Sequence, residues 1–107
     1  MNIQFYAKNF ELTQDLKALF TKKLEKLKKY KQSVEVLNVR ADISQDAHHH
    51  KGDVFRVEIN VDVPKKKVLR AVEQSADIRT ALDAILSKLE RQMRDEKERY
   101  IGQRKSA

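Results

Sequence analysis

Between residues 55 and 63 the chain alternates without a break, with Phe55, Val57, Ile59, Val61 and Val63 on one parity and Arg56, Glu58, Asn60 and Asp62 on the other. Successive side chains of a strand point to opposite faces, so this run demands a sheet with one dry face and one wet face. The dry face needs a second layer to cover it. A chain of 107 residues, 40% of them hydrophobic, supplies one such core and not two.

The rest of the chain reads around that strand. Ile3, Phe5 and Ala7 alternate with Asn2, Gln4, Tyr6 and Lys8, which predicts a first strand. Thr13 is a candidate N-cap with Asp15 in the following turn, and Leu16, Leu19, Phe20, Leu24, Leu27 and Tyr30 then recur at spacings of three and four. They form one apolar stripe on a helix expected to run to about Tyr30. Val34 to Ser44 reads as a second strand, with Leu37, Val39, Ala41 and Ile43 on one parity, Val34 and Val36 on the other, and a register change expected near Val36. Residues 45–53 are polar, contain Gly52 and read as a hairpin loop. Pro64 ends the long strand, and Val68 to Glu73 forms a fourth, with Leu69 and Ala71 facing the same core.

Ser75 or Asp77 caps a second helix whose apolar positions are Ile78, Ala81, Leu82, Ile85, Leu86, Leu89 and Met93, and whose end is expected near Arg99. Residues 1–100 thus read as a single domain and 101–107 as a flexible C-terminal tail. The order β-α-β-β-β-α, with a right-handed crossover between the first two strands and a meander through the rest, predicts an α+β two-layer sandwich: a four-stranded mixed sheet with both helices on one face. From the first helix onward this is also the element order of the double-stranded RNA-binding domain.

Lys and Arg together number 23 against 16 Asp and Glu, a formal charge of +7 that points to a polyanion partner. Taking Leu16 as the origin of the first helix, Lys22, Lys26 and Lys29 fall at about 240°, 280° and 220°, a ladder beside the apolar stripe. Lys17 and Lys28 flank the opposite side, and Lys23 falls inside the stripe and must reach out along its own stem. On the second helix, counted from Ile78, Lys88 and Arg91 lie near 280° and 220°, with Arg94 at about 160°. A solvated amphipathic face accounts for many such lysines, but here only Asp15 and Glu25 oppose the ladder. Lys65, Lys66 and Lys67 after Pro64 read either as a solvated turn or as a phosphate finger.

Catalysis finds no footing in the sequence. Cysteine is absent, there is no Gly-rich phosphate loop, and the carboxylates sit on wet faces beside lysines. His48, His49 and His50 adjoin Asp46, yet adjacent histidines on a loop do not preorganise a metal site, so no metal, cofactor or small-molecule substrate is expected. Most of the few aromatics fit the core, which argues against a stacking platform for single strands. The opening residues lack the continuous apolar core of a signal peptide, so a cytoplasmic protein without a membrane partner is expected.

Two segments carry a resemblance. The first is Asn9-Phe10-Glu11-Leu12-Thr13 followed by Leu16, Lys23, Leu24, Lys26, Leu27 and Tyr30; the second, more specific one runs from Ser75-Ala76-Asp77-Ile78-Arg79-Thr80-Ala81-Leu82-Asp83 to Lys88-Leu89-Glu90-Arg91-Gln92-Met93. Together they resemble the ribosome hibernation-promoting factor and ribosome-associated translation inhibitor family in its short form, over nearly the whole chain. The resemblance implies the fold derived above and a partner, the small ribosomal subunit, bound through its ribosomal RNA in the decoding region. It implies RNA contacts at Lys23, Lys26, Lys88, Arg91 and Gln92, to which the helix geometry adds Lys22, Lys29 and Arg94. The chain departs from the family pattern at Arg79, where an aromatic is usual, and at Asp95, where a basic residue is frequent. Members with a second, C-terminal domain dimerise through it; this chain is expected to be a monomer in isolation. A general double-stranded RNA binder and a basic adaptor that modulates transcription are the competing readings.

Overall fold

The computed structural model describes residues 2–30, 38–46, 54–64 and 67–106, except for the side chains at 28–30, 97 and 99–106. Its elements are β1 (Asn2–Lys8), α1 (Gln14–Leu24), a 3-10 segment (Glu25–Tyr30), β2 (Asn38–Asp46), β3 (Val54–Val63), β4 (Lys67–Ser75) and α2 (Ile78–Ser106). The sheet runs in the order β1-β2-β3-β4, with β1 parallel to β2 and the other two pairs antiparallel. This is the mixed sheet that the sequence predicts.

Register explains the core. Ile3 and Phe5 stand beside Val39 and Ala41, these stand beside Val61 and Ile59, and those in turn beside Leu69 and Ala71, so these two rows are apolar across the whole dry face. Phe20, Leu24 and Leu27 from α1 and the 3-10 segment, and Ala81, Leu82, Ile85, Leu86, Leu89 and Met93 from α2, close over these rows in one cluster. Phe20 packs edge-on against Phe5 with ring centroids 6.1 Å apart, which seats α1 over β1, while α2 lies over β3 and β4. Both helices therefore cover the same face.

The caps are where the sequence puts them. Thr13 Oγ1 accepts from the Leu16 backbone N–H at 3.2 Å, and Asp15 sits in the first turn of α1. At α2 the cap is Asp77, whose carboxylate accepts from the Arg79 N–H and the Thr80 hydroxyl at 3.0 Å each; Ser75 steadies it by accepting from the Asp77 N–H at 3.1 Å. Each cap satisfies donors that a helix start leaves open and is worth about 1 kcal/mol. Asn9, at φ 65°, turns the chain from β1 towards α1, a conformation that asparagine tolerates better than most residues.

Three expectations change. The first helix does not continue as an α-helix to Tyr30: from Glu25 it tightens to 3-10. Residues three apart eclipse in such a segment, so Leu24 and Leu27 both stay on the core while Lys23 and Lys26 come onto one flank, in place of the even ladder of an unbroken α-helix. The second helix runs past Arg99 to Ser106, so 101–106 are helical where a tail was expected. Gln103, Arg104 and Lys105 are good helix formers, and cations suit the C-terminal end of the dipole, which offsets Gly102. Lys67 is the first residue of β4 and not part of a turn. The expected start of the second strand at Val34 to Leu37, with its register change, the loop histidines, Lys65 and Lys66 lie outside the described residues. No helix among the described residues is long and apolar enough to cross a membrane.

Candidate nucleic-acid interface

The two faces of the molecule differ in charge. The wet face of the sheet carries Lys8, Arg40, Arg56 and Arg70 against Asp42, Asp46, Glu58 and Asp62, four against four. Most of these charges are paired within the face. Arg40 forks onto Asp42 at 3.0 and 3.3 Å and lies 4.3 Å over the Tyr6 ring. Glu58 collects Arg70 at 2.9 Å, Asn60 at 3.0 Å and Arg56 at 3.1 Å. Donation by Asn60, then by Arg70 and Arg56, holds the Glu58 carboxyl at a pKa of about 2 against the cost of its partial burial. A shallow groove of 540 Å³ runs over this face, with Arg40, Asp42, Glu58, Asn60 and Asp62 among its lining. With this face balanced, the chain's formal charge of +7 is carried by the helices, turns and loops.

The depressed pKa has a consequence for stability. A carboxylate with its folded pKa below the unfolded value stabilises the fold above the unfolded value and loses that contribution as pH falls through the folded one. For Glu58 the window is from 4.5 down to about 2. Urea denaturation at pH 5 and pH 2.5 should show a larger loss in the wild type than in Glu58→Gln. An equal loss in both proteins would mean that the cluster contributes nothing to the acid sensitivity.

On the helix face, Lys22, Lys26, Arg91 and Arg94 are exposed, and no ion pair among the described residues engages them. The other predicted contacts have partners inside the molecule. Lys23 reaches out of the stripe, as its position requires, and is ion-paired to Asp83 of α2, its side chain 23% exposed. α1 and the 3-10 segment touch α2, and the Lys23–Asp83 pair bridges the groove between the helices. By helix geometry the facing wall of α2 carries Asp83, Glu90 and Arg94. The Lys29 side chain lies outside the described residues.

Lys88 and Gln92 belong instead to a polar seam along the other flank of α2. Lys88 Nζ meets Glu73 at 2.5 Å and donates to the Val72 carbonyl at 3.3 Å, and Gln92 Nε2 donates to the Arg70 carbonyl at 2.9 Å. One turn further on, Glu96 is ion-paired to Lys67. Residues 88, 92 and 96 thus fasten α2 along β4, the edge strand, and cover backbone acceptors that would otherwise invite another strand. The sequence carried a signal for this: Lys67 and Glu73 share the parity of Leu69 and Ala71, so they point at the helix layer, and the opposite charges stand eight residues apart on α2. Glu73, Asp83 and Glu96 were not among the predicted site residues.

Fold and surface together define a small basic α+β domain with one charge-balanced face and one cationic face. The family described as "Sigma 54 modulation protein / S30EA ribosomal protein" matches residues 3–101, and the chain belongs to it. The chain is 31% identical over 101 residues to the ribosome hibernation promotion factor of Deinococcus radiodurans, a match that covers 94% of this chain and 51% of that protein. It spans about half the length of that curated relative. Among solved structures it resembles the ribosomal subunit interface protein from Coxiella burnetii, with TM-score 0.76, 22% identity and coverage of 92% of this chain and 99% of that one. It also resembles the N-terminal domain of Protein Y from Thermus thermophilus, with TM-score 0.69, 28% identity and coverage of 87% and 96%.

Proposed function

We propose that this chain is a ribosome hibernation factor: it binds the small ribosomal subunit at the decoding region through ribosomal RNA, blocks messenger RNA and transfer RNA, and inhibits translation under stress or in stationary phase. The observation that carries this reading is the charge asymmetry of the two faces. A polyanion gains little from a sheet face whose charges are already paired, and gains most where cations lack internal partners. The proposed contacts are Lys22, Lys26, Arg91 and Arg94 as primary cations, Lys23, Lys88 and Gln92 at their margins, and Lys29 beside them. They act by neutralising phosphates, which fits folded RNA read through its backbone. The protein works as a cytoplasmic monomer without catalysis or cofactor.

The family description also names sigma 54 modulation, which favours a second reading as a protein adaptor in transcription. Lysate from starved cells, separated on a sucrose gradient, distinguishes the two. Co-migration with ribosomes and subunits is expected; migration with free proteins would support the adaptor. In a purified system the chain should inhibit translation and compete with initiator transfer RNA for the small subunit. Additive binding of the two would overturn the decoding-region placement, and equal affinity for an arbitrary RNA duplex would point to a general double-stranded RNA binder.

A further inference from the structure

Of the proposed contacts described, Lys23 alone is tied across the groove to the other helix. Its stem rises from the apolar stripe and its ammonium meets Asp83, whose side chain is 61% exposed against 23% for the lysine. The lysine is therefore held while its partner faces solvent at the mouth of the groove. A carboxylate and a phosphate offer an ammonium the same kind of charged oxygen acceptor. From this arrangement we propose that Asp83 is a built-in counter-ion that occupies the place of an RNA phosphate at Lys23 and is displaced when RNA binds, setting the affinity of the helix face below its maximum.

The inference rests on the functional reading above. Asp83 opposes RNA in two ways: it must give up Lys23, and its carboxylate is then left beside incoming phosphates of like charge. Lys22, Lys26 and Arg94 around the groove bear no such opposition from an ion pair among the described residues. Stray RNA that makes only partial contact would not repay the displacement, so a residue that lowers affinity also keeps the protein off weak ligands.

The test compares small-subunit binding by the wild type, Asp83→Asn, Asp83→Glu, Lys23→Gln and the Lys23→Gln/Asp83→Asn pair across a salt series. Asp83→Asn should tighten binding about two- to fivefold, within the range spanned by removing one partly exposed ion pair. It should steepen the log-log salt dependence by about one, because one more lysine then releases counter-ions. Asp83→Glu should restore wild-type behaviour, and in the Lys23→Gln background the gain should vanish. Asp62→Asn makes the same change in net charge on the opposite face and should move affinity less than about twofold. Unchanged binding by Asp83→Asn, a gain that persists without Lys23, or an equal gain from Asp62→Asn would overturn the proposal alone. Wild-type protein that does not bind the subunit would overturn the functional reading and this proposal with it.

Discussion

Reversing Lys22 and Lys26 to Glu is expected to weaken small-subunit binding about a hundredfold while leaving the protein folded. Both side chains are exposed, Lys22 on α1 and Lys26 on the 3-10 segment, so on the proposed reading the substitution removes two phosphate partners and replaces them with charges that repel. Each lost contact should flatten the log-log salt dependence by about one unit. Stability should change little, since exposed substitutions usually stay within about 0.5 kcal/mol each. Lys8→Glu together with Lys17→Glu makes the same change in net charge away from the groove and is the control. If both pairs weaken binding equally, net charge alone explains the effect and the assignment to the groove fails.

Truncating Phe20 to Ala should cost about 3–5 kcal/mol, the range for a buried aromatic. Phe20 is 0% exposed and meets Phe5 edge-on, so the cavity would open between the first helix and the first strand. For a chain of this size that loss lowers the thermal midpoint by more than about 12 °C. A scanning calorimetry shift of only a few degrees would show that the helix collapses onto the void or that this corner contributes little.

The elements that could be read in advance are those written in local periodicity. The alternation from Phe55 to Val63 and the stripe from Ile78 to Met93 each repeat often enough to fix a face, and the observed burial follows them. Thr13 and Asp77 were legible because a cap acts within three residues. What could not be read depends on distant partners. The position of Lys23 within the stripe required it to reach outward, yet its partner Asp83 lies 60 residues away. Lys88 reads as part of a second basic row with Arg91 because helix angles alone do not say which flank meets β4; the structure gives the flank of Lys88 and Gln92 to the edge strand. The 3-10 turn at Glu25 was invisible for a similar reason, since Leu24 and Leu27 suit either helix and only their packing decides.

The parallel pairing of β1 bears on the order of assembly. Asn2 and Asn38, which stand beside each other at one end of that pair, are 36 residues apart in the chain, whereas Val63 and Lys67, which pair between β3 and β4, are only four apart. Closure entropy rises with loop length, so the hairpins of β2, β3 and β4 form at lower cost than the β1–β2 ladder and precede it. β1 is also the least buried strand, and its neighbours lie on one side only. Its amides should be the first of the sheet to exchange with deuterium in the native state, while those around Ile59 wait for global unfolding.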